Sequence, residues 1–181
     1  MRYQSAVTDD KTAKEMRDAY GNAAARQESN REGLYSLGRE VLDEIKSVVG
    51  AARSVIMFVD KKTEELFFFP TAGKCLRFPV TSGIAGWVFS AGMLANIPDA
   101  YADSRFNKAL DVESGFKTKN ILCAPIYYNG NVVAVLQFVN RKKKKMEEEG
   151  GFSKEDERAV TVTADRLGSL VGDMLGVIDE K

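Results

Sequence analysis

Two apolar runs separated only by Asn129-Gly130 constrain the fold of this chain more than any other feature. The runs cover residues 120–128 and 131–140. An Asn-Gly pair suits a type I′ turn, because both central residues of that turn need a positive φ. The pattern therefore predicts two antiparallel neighbouring strands joined by a tight hairpin.

Shorter segments predict the rest of the sheet. The apolar run 54–59 has the length and β-branching of a strand buried on both faces. Residues 65–69, 75–80 and 94–97 are expected to be further strands, with a turn at 70–73 between the first two of these. We expect the sheet to be built mainly from strands that follow one another in sequence.

Four helices are predicted around this sheet. A polar, alanine-rich helix covers residues 9–27, and an apolar stripe from Leu34 to Val48 forms a second helix that stops at Gly50. A short helix covers residues 83–89, with Thr81 or Ser82 near its N-cap and its end at Gly92. Helices and antiparallel strands in this order predict an α+β fold.

The last predicted helix runs from Ser153 to about Ile178, and Ser153 and Asp156 fit a capping box. Its apolar residues follow a heptad-like spacing that suits a seam with another helix. They are Val160, Ala164, Leu167, Val171, Met174 and Ile178.

Composition narrows the classes of function. Lys plus Arg and Asp plus Glu both number 26, so the overall charge indicates neither nucleic acid nor a membrane as a partner. The chain has no histidine, which removes Ser-His and Cys-His nucleophile pairs and histidine metal sites. Cys75 and Cys123 match no metal-ligand pattern. We expect no catalytic residue, no metal and no cofactor.

The N-terminal segment lacks the apolar core of a signal peptide, and no stretch approaches the ~20 apolar residues of a spanning helix. We therefore expect a cytoplasmic protein. Residues 99–119 are mixed polar and aromatic, and a connection of this length usually covers a site.

Several short blocks between residues 55 and 157 resemble the GAF domains of cyclic-nucleotide phosphodiesterases and adenylyl cyclases in identity and spacing. The blocks are residues 83–88, residues 96–101, Phe106, Asp111, Gly115-Phe116, Thr118, residues 121–126 and Val139-Asn140. The resemblance implies a central antiparallel sheet with the N- and C-terminal helices on one face and the short helix and a lid loop on the other. It divides the chain into an N-terminal extension, 1–30, and a GAF domain, 31–181.

A cyclic nucleotide needs an anion cradle, hydrogen-bonding groups and an apolar wall. Ile84 and Ala85 lie at the predicted start of the short helix, where free N–H groups and the positive end of the helix dipole suit a phosphate. The resemblance implies backbone contacts from these two residues. It also places Asn107, where the family more often has tyrosine, near the same phosphate.

The resemblance assigns base and sugar contacts to the lid loop and the last strand. The residues are Asp111, Ser114, Thr118 and Gln137, the last of which matches a glutamate in the family. Gln137 also interrupts an apolar run, and an unpaired buried amide there would cost about 1 to 3 kcal/mol. Its partner is either a ligand, the loop or neighbouring backbone.

A second family signature is an Asn-Lys pair, then Phe, three residues and Asp-Glu, found in members that bind cyclic nucleotides. The matching residues are Asn140, Arg141, Phe152, Asp156 and Glu157. Arg replaces the usual Lys; it keeps the charge for a pair with Asp156 but differs in shape. We expect these residues to support the pocket rather than to contact the ligand.

The resemblance thus implies a regulatory sensor of cGMP or cAMP, part of a phosphodiesterase or cyclase and a homodimer through its terminal helices. Residues 69–73 offer no carboxylate for guanine, so the base stays open. One alternative is a GAF domain that only dimerises and binds no nucleotide. Another is a reductase of small oxidised sulfur compounds, which two separated cysteines do not favour.

Overall fold

The computed structural model describes residues 40–68, 76–142 and 151–179, and the side chains of these residues except 110, 113, 114 and 173–179. The predicted helix over residues 9–27, Cys75 and the charged block 143–149 lie outside the described residues. So do Leu34 and Leu37.

The described residues form a six-stranded antiparallel sheet in the order β3-β2-β1-β6-β5-β4. Only the central pair, β1 and β6, is not consecutive among the strands, which confirms the predicted neighbour pattern. The strands are β1 (Ala51–Asp60), β2 (Glu65–Phe68), β3 (Leu76–Pro79), β4 (Ala95–Ile97), β5 (Ile121–Tyr128) and β6 (Asn131–Arg141).

The predicted hairpin joins β5 and β6. Asn129 and Gly130 have φ values of 48° and 77°, the positive pair that a type I′ turn requires. The register shifts once, between Ile126 and Tyr127. Together with β1, these strands place Gln137 and Asn140 in the middle and at the end of β6.

Helices cover both faces of the sheet. Residues 40–48 (α1) and Lys154–Asp179 (α4) pack on one face, and Gly83–Ala91 (α2) packs on the other with the connection from Asp99 to Lys119, which we call the lid loop. The lid loop contains a short helix, α3 (Ala109–Ser114). This arrangement confirms the predicted α+β fold with its two helical layers.

The heptad-like residues of α4 contact the sheet of their own chain. Val160, Ala164, Leu167 and Val171 are 0–2% exposed and belong to the core on this face. Val41 and Ile45 of α1 pack against the same core, whereas Val48 is 62% exposed. The interpretation of Val160, Ala164, Leu167 and Val171 as a seam for a second copy therefore needs correction, because the spacing is explained by packing within the domain.

Candidate functional site

The start of α2 presents amide groups that lack acceptors. Ser82 occupies the N-cap position without a side-chain cap, and its carbonyl accepts the N–H of Gly86 at 3.0 Å. The N–H groups of Ile84 and Ala85 make no hydrogen bond to any other residue that the structure describes. These donors and the positive end of the helix dipole form a cradle suited to an anion.

The side chains of the same residues fix the helix against the sheet. Ile84 and Ala85 are 3% and 5% exposed and belong to the core beneath α2. A Cβ at Gly86 would lie 2.6 Å from the carbonyl oxygen of Val80, so only glycine lets the helix start so close to the preceding turn. The buried side chains of Ile84 and Ala85 and the close approach at Gly86 thus orient the two unbonded N–H groups.

Asn107 lies beside this helix start. Its Nδ2 donates to Ser82 Oγ at 3.1 Å, and its Oδ1 accepts the N–H of Ala109 at 2.9 Å. The side chain is exposed, and its Cβ lies 3.6 Å from the position that a Cβ on Gly83 would take. Asn107 therefore connects the lid loop to the proposed phosphate site.

Gln137 belongs to the sheet face that α2 covers. It pairs with Val55 on β1 and Cys123 on β5, and Cys123, Val135 and Val139 all belong to the core under α2. Its side chain is half-buried, and no hydrogen bond joins it to another described residue. The side-chain amide therefore lies on the sheet face that α2 covers, without a hydrogen-bond partner among the described residues.

Asp111 is bonded mainly inside the lid loop. Its Oδ2 accepts the N–H of Thr118 at 2.6 Å and the hydroxyl of Tyr101 at 3.1 Å, and its Oδ1 accepts Thr118 Oγ1 at 2.8 Å. Asp111 and Thr118 are both buried. These bonds close the segment between α3 and β5 into a compact unit. Ser114 is the last residue of α3, and its side chain lies outside the described ones.

Tyr101 was not singled out from the sequence as a functional residue, although it lies in a block that carries the resemblance. Partial desolvation and the hydrogen bond to Asp111 raise the pKa of its phenol. The ammonium groups of Lys108 and Lys117 lie 5.0 and 5.7 Å from its ring centroid. The lid loop thus carries two cations beside the ring of Tyr101, whose hydroxyl bonds the buried carboxylate of Asp111.

The lid loop is anchored at both of its ends. Arg105 lies over the Trp87 ring of α2 at 4.4 Å, and its guanidinium is paired with Asp103 at 2.6 Å. At the other end, Asn140 Nδ2 donates to the carbonyl of Lys117 at 2.8 Å, and its Oδ1 accepts the N–H of Lys119 at 2.6 Å. Asn140 therefore holds the end of the lid loop in place, while its support of a ligand pocket stays a prediction.

Arg141 and Asp156 form an ion pair between the end of β6 and the start of α4. Arg141 Nε lies 2.6 Å from Asp156 Oδ2. The same Oδ2 accepts the N–H of Ser153 at 2.8 Å, and the N–H of Asp156 donates to Ser153 Oγ at 3.2 Å. Both proposed functions of Asp156, as a helix cap and as a partner of Arg141, are present together.

Phe152 and Glu157 connect the start of α4 to the edge strand β4. Asn96 Nδ2 donates to the carbonyl of Phe152 at 2.9 Å and to Glu157 Oε1 at 2.8 Å. Lys154 pairs with the same Glu157 at 2.9 Å. Desolvation raises the pKa of Glu157, but the hydrogen bonds from Asn96 and Lys154 outweigh it and leave the pKa low. Asn96 lies in a block that carries the resemblance, but its bonds to the start of α4 were not predicted from the sequence.

A model of the GAF domain matches residues 34–171, which is most of the chain. This chain belongs to the GAF family. It is 34% identical over 140 residues to the probable 3′,5′-cyclic phosphodiesterase pde-5 of Caenorhabditis elegans, covering 69% of this chain and 18% of that protein. It is 35% identical over 128 residues to the dual 3′,5′-cyclic-AMP and -GMP phosphodiesterase 11A of Takifugu rubripes, covering 62% of this chain and 14% of that protein.

The GAF fold is also seen in solved structures of lower identity. The GAF domain of a phosphoenolpyruvate-protein phosphotransferase from Coxiella burnetii has a TM-score of 0.67 at 16% identity, covering 91% of this chain and 95% of that one. The type II free methionine-R-sulfoxide reductase of Thermoplasma acidophilum has a TM-score of 0.64 at 16% identity, covering 78% and 94%. These likenesses show the fold alone.

Cys123 is fully buried in β5, and burial raises the pKa of its thiol. The thiolate that redox chemistry requires is disfavoured there.

None of the helices in the described ranges has the length and apolar character needed to cross a bilayer.

Proposed function

We propose that this GAF domain is a regulatory sensor that binds cGMP or cAMP between the start of α2 and the lid loop. The observation that carries the proposal is the pair of unbonded N–H groups at Ile84 and Ala85. A cyclic phosphate bears one negative charge, which backbone donors at a helix start can bind without a lysine. Asn107 is the side chain that we expect to approach the same phosphate, since it donates a hydrogen bond to Ser82 at this helix start.

The ribose and the base lie between Gln137 and the lid loop in this proposal. A carboxylate accepts about four hydrogen bonds, and the lid loop supplies three to Asp111, which leaves capacity for a ribose hydroxyl. The amide of Gln137 offers both a donor and an acceptor and suits either purine. Ser114 and Thr118 complete the lid side of the site.

The relatives support a cyclic nucleotide as the ligand class. Both curated relatives are phosphodiesterases of 3′,5′-cyclic nucleotides by name, and the chain spans less than a fifth of their length. We accordingly propose that the domain regulates a cytoplasmic phosphodiesterase or cyclase to which it is joined.

We also propose a homodimer through the terminal helices, on which Val48 and Val162 are exposed apolar residues. Sedimentation of the purified protein tests the dimer.

Calorimetry of the purified, nucleotide-free protein with cGMP and with cAMP tests the ligand. We expect one site per chain for at least one of the two nucleotides. Asn107→Ala and Gln137→Met should each weaken binding about tenfold, which is the loss of one or two ligand hydrogen bonds. Asn131→Ala is the matched control, because Asn131 is an exposed asparagine at the other end of β6 from Asn140. Neither heat nor a thermal shift with either nucleotide at millimolar concentration would overturn the proposal.

A further inference from the structure

A contact between β1 and the lid loop has no part in the site described so far. The guanidinium carbon of Arg53 lies 3.7 Å from the ring centroid of Phe116. A guanidinium over an aromatic face is attracted by the ring and stacks on it, which an ammonium does less well. Arg53 precedes the blocks that carry the family resemblance, so nothing in that resemblance assigns it a function.

The sheet register places Arg53 on the ligand side. Arg53 pairs with Val139, and Val55, two residues further along β1, pairs with Gln137. Residues paired across antiparallel strands point to the same face. Val139 and Val55 contribute to the core under α2, so Arg53 shares this face with Gln137.

Phe116 lies within the segment that closes on Asp111. It follows Gly115, which has a φ of 67°, and lies two residues before Thr118, which bonds Asp111 through its N–H and its hydroxyl. Phe116 itself is half-buried against the core under α2. Asn140 holds the backbone of this segment at Lys117 and Lys119, and Arg53 contacts the ring of Phe116 in the same segment.

We propose that Arg53 is a positioning residue that holds Phe116, and with it the segment 111–118, closed over the ligand site. The inference rests on the proposed function for its ligand, but the contact itself is a property of the protein alone. When the guanidinium is absent, the segment opens more often, and a bound cyclic nucleotide leaves faster. The rate of binding changes little, since in this proposal Arg53, an exposed residue, acts on the closed segment rather than on the ligand.

The first experiment needs no ligand. The amide of Thr118, protected by Asp111, reports opening of the segment through its hydrogen exchange rate. We expect Arg53→Met, which keeps the linear stem, to raise this rate about fivefold to tenfold, and Arg53→Lys to raise it less. The amides of Ala124 and Leu136, paired in the central strands, should be unchanged and so show that the fold is intact.

Arg166→Met is the matched control, because Arg166 is an exposed arginine on α4. It should leave Thr118 exchange unchanged. Equal Thr118 exchange in the Arg53→Met and wild-type proteins overturns the proposal, as does a rise that Arg166→Met reproduces.

The second experiment uses a fluorescent cyclic nucleotide in stopped flow. Arg53→Met should raise the dissociation rate constant about fivefold and change the association rate constant by less than about twofold. An unchanged dissociation rate overturns the ligand part of the proposal even if exchange at Thr118 rises. If the wild-type protein binds no nucleotide, the proposed function is wrong, and so is the proposed effect of Arg53 on nucleotide dissociation. The exchange rate of Thr118 still shows whether Arg53 keeps the segment 111–118 closed.

Discussion

Arg141 Nε lies 2.6 Å from Asp156 Oδ2, and the two side chains are only 3% and 9% exposed. The pair joins the last residue of β6 to the first turn of α4, next to the Asn140 that holds the lid loop. Asn140 and Arg141, adjacent in β6, therefore connect the lid loop on one face of the sheet to α4 on the other.

Removing one partner of this pair leaves the other charge buried and unpaired. The resulting loss of folding free energy is much larger than the loss on breaking an exposed ion pair. We expect Arg141→Met to lower the free energy of unfolding by about 3–5 kcal/mol. Arg141→Lys should cost less, because it keeps the charge. Urea denaturation measures both changes, with the exposed Arg158→Met as a control near zero. A loss below about 1 kcal/mol for Arg141→Met would contradict a buried, energetically important pair.

Gly168 permits the close packing of α4 on the hairpin. A Cβ at Gly168 would overlap the carbonyl oxygen of Tyr127, which is backbone and cannot rotate away. Gly→Ala inside a helix normally gains up to about 1 kcal/mol, but here we expect Gly168→Ala to lose about 1–3 kcal/mol. Thermal unfolding measures the change, with the neighbouring exposed Ser169→Ala as the control. Stabilisation by Gly168→Ala would show that the helix does not pack this closely.

Asp60 links acid stability to Arg77 on β3. Burial raises the pKa of Asp60, but hydrogen bonds from the Arg77 guanidinium at 3.0 Å and from backbone N–H groups outweigh it and leave the pKa low. A carboxyl with a depressed folded pKa stabilises the fold above its unfolded pKa, near 4, and this stability is lost as the pH falls through the folded value. We therefore expect Arg77→Met to move acid unfolding to higher pH. Lys61→Met, a neighbouring lysine substitution, should move it less; equal shifts would contradict the assignment to Arg77.

Tyr101 reports the electrostatics of the lid loop. Desolvation and then the hydrogen bond to Asp111 raise the pKa of its phenol. Ultraviolet titration should find that Tyr101 ionises above the ordinary range for tyrosine, which is near 10. Asp111→Asn removes the negative charge beside it and should lower that pKa, while Tyr101→Phe removes the transition altogether. An unchanged late transition in Asp111→Asn would mean that the two groups do not interact in solution.

Local chemistry made much of the fold predictable. The Asn129-Gly130 turn, the Ser153 and Asp156 cap and the stop at Gly50 each depend on residues next to one another, and all three are confirmed. The heptad-like spacing of α4 was misleading because a helix that packs on its own sheet needs the same apolar stripe as one that packs on a partner.

The site was less predictable because its contacts join distant segments. The sequence indicated that Asp111 and Thr118 belong to the site, but not that they bond each other, since that depends on how the lid loop folds. The Arg53 and Phe116 contact joins β1 to the lid loop and leaves no local signal. Gln137 could be singled out as a candidate because it is a polar residue within an apolar run, and its contact with a ligand stays a prediction.

Amide NMR of Ile84 and Ala85 during a cyclic-nucleotide titration reports whether this helix start binds the cyclic phosphate. We expect both amide signals to shift to higher proton frequency as charge-assisted hydrogen bonds form, and the shifts to saturate at one nucleotide per chain. Unmoved Ile84 and Ala85 amides at saturating cGMP and cAMP would contradict phosphate binding there, whether or not signals elsewhere respond.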